Sequence, residues 1–172
     1  VRNKIKNEKA LRLTLRKLAE SLCQPLSFTR LCNMIKAVGV SCSTSTIIEY
    51  LNHFTDSCLI FSVQNFASRF VEKATTKKFY FVDNGLLNLF LLNNQSALLE
   101  NICAIEMKKR YGTRLYYYLH NIEVDFYVPE ENLAIQVSYK LADENTIKRE
   151  TDALLKLHKL HPLNKAIIIT TE

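Results

Sequence analysis

Apolar residues recur at helical spacing from Lys9 to Leu22, putting Leu11, Leu15, Leu18, Ala19 and Leu22 on one face of a predicted helix. Pro25 stops that helix, and Ser27 is placed to cap a second one carrying Phe28, Leu31, Met34, Ile35 and Val38. Gly39 ends the second helix. Ser43 or Ser45 then opens a third, with Ile47, Ile48, Tyr50, Leu51 and Phe54 as its buried side. Two short helices joined by a tight Gly-containing turn predict a helix-turn-helix. The pattern next changes to strands at LIFSV, residues 59–63, and KKFYFVD, residues 77–83. The intervening QNFASRFVEKATT reads as a wing, so residues 1–82 are expected to form a winged helix behind a basic leading segment.

Asp83, Asn84 and Gly85 punctuate the chain, and LLNLFLL follows as a short apolar helix. A longer helix is expected from Ser96, with Leu98, Leu99, Ile102, Cys103, Ile105 and Met107 inward. Lys108, Lys109 and Arg110 lie near its C-terminus, where the helix dipole favours cations, and Gly112 suits its stop. RLYYYLH, IEVDFYV and LAIQVSYK read as strands, the last two separated by the turn residues PEEN. A helix capped by Asp143 is expected to reach about Leu160. KAIIIT then reads as a strand buried on both faces in a parallel arrangement. Residues 83–172 thus give the order α-β-β-β-α-β, with a right-handed β-α-β return. The fold class expected is α+β or α/β.

With 48% hydrophobic and 23% charged residues, and only three Gly and three Pro among 172, the chain is globular rather than disordered. No apolar run approaches the roughly 20 residues that cross a bilayer, and no signal-peptide pattern opens the chain. It begins without Met, as a piece of a longer protein would. The five cysteines are odd in number and hold no CxxC pair, which points to buried reduced thiols and a cytoplasmic setting. His158 and His161 are three apart but sit where the last helix ends before Pro162, at a solvated helix end.

The net charge of +6 is concentrated at the start, where Arg2, Lys4, Lys6, Lys9, Arg12, Arg16 and Lys17 face only Glu8. Such a segment can track phosphates or form a solvated linker and helix face. The third helix carries no Lys or Arg, yet Thr44, Thr46 and Asn52 are placed to touch base edges or phosphates. Arg69, Lys73, Lys77 and Lys78 supply the wing's phosphate-neutralising charge. Duplex DNA is therefore an expected ligand, beside the reading of a winged helix used for protein docking.

The acidic residues fall into a second constellation. Strand alternation sets Glu123, Asp125 and Tyr127 opposite Ile122, Val124, Phe126 and Val128, and Gln136, Ser138 and Lys140 opposite Ile135, Val137 and Tyr139. Paired as a hairpin, the two strands bring Asp125 and Gln136 to one side, where Glu100 can reach from the helix above. Oxygen donors of this kind suit Mg²⁺ or Mn²⁺, which lowers the pKa of a bound water and offsets phosphoryl charge. A helix-borne acid, a strand-borne acid and a polar-x-polar strand follow the layout of PD-(D/E)xK nucleases. Such enzymes carry a lysine at the position of Ser138, so Lys140, two residues further on, is the candidate replacement. Glu100, Asp125, Gln136 and Lys140 are accordingly the catalytic candidates, the first three also the metal candidates. The same residues are open to a vestigial site with a structural or binding use, the reading favoured over a retained metal site, and to coincidence.

VGVSCSTSTIIEYLNHFTDSCLIFSV, KKFYFVDNGLL, ALLENICAIEMKKR, EVDFYVP and LAIQVSYK, taken in this order, resemble the C-terminal region of prokaryotic AAA-type ATPases. In those proteins a nucleotide-binding module precedes a winged helix and a restriction-endonuclease-like domain of unknown function. The resemblance implies nuclease-fold positions at Glu100, Asp125 and Gln136, and an upstream ATPase module as partner. Many relatives have an acid and a lysine where this chain has Gln136 and Ser138. No GxxxxGK[ST] loop occurs, so ATP belongs to the upstream module alone. The leading expectation is a non-catalytic accessory region that binds DNA or a protein partner. A Mg²⁺- or Mn²⁺-dependent DNA nuclease and a pure protein-interaction module are the alternatives.

Overall fold

Side-chain caps start most of the helices where the polar punctuation falls. In the computed structural model, which describes residues 5, 7–91, 94–141 and 143–171, Asn7 caps α1 (Glu8–Glu20) by accepting from the Ala10 N–H. Ser27 caps α2 (Phe28–Ala37) and Ser43, rather than Ser45, caps α3 (Thr44–Asp56). Gly39 takes the left-handed φ of 80° that the turn between α2 and α3 requires. The three helices enclose a core of Leu18, Leu31, Ile35, Ile47 and Leu51, closed from the sheet by Phe79 and Phe81.

The fold is a mixed α+β arrangement with seven helices and one seven-stranded mixed sheet among the described residues. Its strands are β1 (Leu26–Ser27), β2 (Ile60–Asn65), β3 (Thr76–Phe81), β4 (Tyr116–Leu119), β5 (Glu123–Val128), β6 (Leu133–Val137) and β7 (Lys165–Ile169). They lie in the order β1-β3-β2-β4-β5-β6-β7. Neighbours are antiparallel except β2 with β4 and β6 with β7. One sheet therefore runs across the boundary expected at residue 82. A six-residue helix, α4 (Phe70–Thr75), occupies the expected wing.

Beyond β3, Asp83 caps the short α5 (Asn84–Asn88), and Asn94 caps α6 (Gln95–Tyr111), which ends at Gly112 with φ 55°. Asp143 caps α7 (Glu144–Leu160) through the Thr146 N–H. Cys103, Ala104 and Met107 of α6 pack on Tyr117, Phe126 and Val128, while Leu154 and Leu157 of α7 pack on Val124, Tyr127 and Ala134. Among the described residues no helix is long and apolar enough to cross a membrane.

Several expectations are corrected. The inward face of α6 carries Glu100 and Asn101 rather than Ile102, which is 48% exposed. The cause is polar pairing: Asn101 Oδ1 accepts from the Phe81 N–H, and its Nδ2 donates to the Phe81 carbonyl and to Asn84 Oδ1. These bonds fix the rotation of the helix. Strand β7 is an outer strand with Lys165 and Ala166 exposed, not one buried on both faces. All five cysteines are free thiols, but only Cys32 and Cys103 are buried and Cys58 is exposed. Of the basic leading segment, Arg2, Lys4 and Lys6 lie outside the described residues, whereas Arg12 and Arg16 pair along α1 with Glu8 and Glu20. His158 Nδ1 accepts from the Leu163 N–H, and His161 packs against Phe66 and Tyr118.

Candidate functional site

Strand β5 is irregular where its acid sits. Its register with β4 shifts between Tyr116↔Tyr127 and Tyr118↔Val124, leaving two residues, Asp125 and Phe126, against Tyr117. This is the pattern of a β-bulge, which re-aims side chains locally. Phe126 and Val128 accordingly belong to the core under α6, while Val124 and Tyr127 belong to the core under α7. The single alternating face expected for Val124, Phe126 and Val128 is broken at this point. The β5–β6 ladder runs through Phe126↔Ile135 and stops there. Side chains complete the pairing: the Asp125 N–H donates to Gln136 Oε1 at 2.7 Å, and the Val137 N–H donates to Asp125 Oδ2 at 3.0 Å.

Asp125 and Gln136 are thus brought together as the hairpin reading expected, and Glu100 joins them from α6. The cation among them comes from elsewhere. Lys78 on β3 is 0% exposed, and its Nζ lies 3.0 Å from Glu123, 3.2 Å from Asp125 and 3.7 Å from Glu100. It reaches across the Tyr117 ring, 5.4 Å from the centroid. On the same strand Tyr80 donates to Glu100 Oε1 at 2.8 Å. Glu150 of α7 closes the group by accepting from Gln136 Nε2 at 2.6 Å and from Arg149. A cleft of about 620 Å³ opens beside these residues, lined in part by Cys23, Glu100, Asp125, Gln136 and Lys156.

Three carboxylates share one ammonium, and the protonation equilibria follow from that imbalance. Burial, and then the charge of Asp125, push Glu100 from an ordinary 4.5 up to about 7, against the opposing pull of Lys78. Burial likewise raises Asp125, with Lys78 and the Val137 N–H opposing it. Burial alone would depress Lys78, but Glu100, Asp125 and Glu123 together hold it above the usual lysine range. Burial and Glu100 raise both the Tyr80 hydroxyl and the Cys23 thiol. Buried titratable groups with specific charge partners beside a cleft mark a candidate functional site.

The implied Mg²⁺ or Mn²⁺ does not fit these residues as they stand. The Lys78 ammonium stands among the oxygens of Glu100, Glu123 and Asp125, within the space a bridging cation with metal–oxygen distances of roughly 2.0–2.1 Å would need. Gln136 has its carbonyl oxygen on the Asp125 N–H and its amide on Glu150. Lys140 is exposed beyond the end of β6, which stops at Val137, so the strand alternation that would turn it toward the acids does not extend that far.

Among the DNA-contact candidates, Lys78 is corrected outright: a fully buried ammonium among acids cannot meet a phosphate. Asn52 and Arg69 are exposed and Thr44, Thr46, Lys73 and Lys77 half-buried, with Lys73 Nζ over the rings of Phe66 and Tyr116. Sequence reasoning missed Lys78, Tyr80 and Glu150 as members of the acid site. One signal was present: alternation in TKKFYF sets Lys78 and Tyr80 opposite Phe79 and Phe81, which face the helical core.

Two uncharacterized proteins are similar to this chain nearly throughout. One, from Methanocaldococcus jannaschii, is 31% identical over 177 residues, covering 97% of this chain and 40% of its own length. The other, from Haemophilus influenzae, is 29% identical over 172 residues, covering 96% of this chain and 42% of its own length. The chain therefore spans less than half of the curated relatives it matches. No solved structure matches it. Residues 2–97 match the family described as a domain of unknown function, DUF8612, and the chain belongs to that family.

Proposed function

We propose that this chain is a non-catalytic accessory region of an AAA-type ATPase, built from a winged helix and a degraded nuclease-like domain, and that it binds duplex DNA. The observation that carries the non-catalytic reading is the buried Lys78 ammonium, which pairs with both Glu100 and Asp125 from within the protein. An acid pair that already holds an internal ammonium attracts a divalent cation less than a bare pair would.

Support for a DNA ligand comes from the wing. Helix α4 buries none of its residues, and Phe70 and Val71 are 87% and 70% exposed between Arg69 and Lys73. Flanking cations suit phosphates, and an exposed apolar pair suits a groove or base step. The third helix lacks cations, so the wing rather than that helix supplies the phosphate contacts.

Fluorescence anisotropy with a labelled duplex over a range of salt tests the reading. Wild type should bind with a salt-dependent affinity, and Arg69→Ala and Lys73→Ala should each lower the salt slope by about one. Plasmid incubated in Mg²⁺ or Mn²⁺ should show no cleavage that disappears in Asp125→Asn. Asp125-dependent cleavage would establish a nuclease instead. Binding insensitive to both salt and these substitutions would move the reading to a protein partner.

A further inference from the structure

The acid site is arranged around one buried cation. Glu100 is 9% exposed, Asp125 has one oxygen on Lys78 and the other on the Val137 N–H, and Glu123 covers the ammonium from the solvent side with 47% of its side chain exposed. Three carboxylates from two elements, α6 and β5, therefore point at a single cationic atom carried by a third, β3. Isolated carboxylates at this depth would lose hydration and repel one another. A cation is needed there for the fold to tolerate them.

We propose that Lys78 is the resident cation of this site, standing where a divalent metal would otherwise be bound, so that its ammonium and a metal ion are mutually exclusive occupants. This rests on reading Glu100 and Asp125 as nuclease-like positions, but not on DNA binding. Three physical points support it. The Lys78 Nζ contacts all three acids at 3.0–3.7 Å, so a cation bridging those same oxygens would need the position it holds. The ammonium is desolvated and caged, with the Tyr117 ring against it, so it has no alternative solvated position in this packing. The donors around it are hard oxygens, the class that Mg²⁺ and Mn²⁺ prefer. Removing the ammonium therefore leaves an acid group whose charge and donor type match a divalent ion. The chain's own covalent structure supplies a fixed single charge in its place, which can orient the acids but cannot activate a water as a metal does.

Titration of Mn²⁺ into wild type, Asp125→Asn, Lys78→Met and Lys78→Met/Asp125→Asn, followed by electron paramagnetic resonance of the free ion and by thermal melting, tests the exclusion. Wild type should show no Asp125-dependent binding. Lys78→Met should bind Mn²⁺ at least about tenfold more tightly than wild type and melt at rising temperature as Mn²⁺ is added. The double variant should lose both responses. Because melting is read in the presence of the ion, a Lys78→Met protein too weak to fold alone still reports, through rescue by Mn²⁺. A Lys78→Met protein that neither binds nor is rescued by Mn²⁺ overturns the inference. So does wild-type binding that Asp125→Asn abolishes. Neither result bears on the salt-dependent DNA binding, which tests the proposed function separately.

Discussion

The ammonium nitrogen of Lys78 lies 3.2 Å from Oδ1 of Asp125 although 47 residues separate them in the chain. Both side chains are largely buried, so the pair is a stabilising contact only as long as both members are present. Breaking a buried pair by removing one partner costs about 3–5 kcal/mol, because the other charge is left uncompensated. Lys78→Met should cost that much, since it strands three acids. Asp125→Asn should cost less, since Glu100 and Glu123 still hold the ammonium. Urea denaturation of both single variants and the double should give a double-variant loss smaller than the sum, by about 1–3 kcal/mol. Additive losses would mean that the contact contributes no coupling.

Glu100 makes stability depend on pH near neutrality. Its folded-state pKa, about 7, lies above the ordinary 4.5, so the native state holds a proton that the unfolded chain has released. The contribution is complete below about 4.5 and is lost as pH rises through about 7, a change on the order of 3 kcal/mol. Glu100→Gln keeps an acceptor for the Tyr80 hydroxyl and removes the titration. Melting temperatures measured from pH 5 to pH 8 should fall more for wild type than for Glu100→Gln. Parallel curves would show that Glu100 keeps the same charge in both states.

Asn101 acts as a backbone partner for β3. Its side chain takes the Phe81 N–H and supplies a donor to the Phe81 carbonyl, at 2.8 and 3.0 Å, in a fully buried position. Asn101→Ala leaves both main-chain groups without those partners and should destabilise by about 2–4 kcal/mol. The same substitution frees the rotation of α6, so hydrogen exchange at Glu100 and Cys103 should accelerate alongside the loss of stability. An Asn101→Ala protein within about 0.5 kcal/mol of wild type would show that water replaces the side chain there.

Local chemistry made much of this fold legible. Ser27, Ser43 and Asp143 cap the helices expected of them, and alternation brought Asp125 and Gln136 onto one hairpin. What escaped depends on contacts between distant segments. Apolar spacing rotated α6 toward Ile102, whereas two polar side chains, Glu100 and Asn101, find buried partners on β3 and set the actual face. Lys78 stands beside Lys77 in a basic stretch of β3, and nothing in its immediate neighbours announces that Asp125 will meet it. The bulge at Asp125 is a property of the β4–β5 register, not of residue type. For the same reason the outer position of β7 was hidden behind its apolar composition.

Placing an acid at position 136 should not create a nuclease. Gln136 is 5% exposed and uses both ends: its oxygen accepts from the Asp125 N–H, and its nitrogen donates at 2.6 Å to Glu150. Gln136→Glu keeps the first bond and sets a second carboxylate oxygen against Glu150, with Asp125 adjacent. A carboxyl placed there by burial and like charge has a raised pKa, so its neutral form is the tolerated one. Its contribution is therefore least harmful below the ordinary carboxylate range and grows more unfavourable as pH rises. Urea midpoints should show a loss of about 2–3 kcal/mol at pH 8 and a smaller one at pH 5. Gln136→Leu, which loses both bonds without adding charge, should lose a similar amount at both values. Lys78 would still fill the space among the acids, so Mg²⁺ should not rescue Gln136→Glu at pH 8. Rescue by Mg²⁺, or plasmid cleavage that appears with the substitution, would mean that Gln136 rather than Lys78 keeps the metal out.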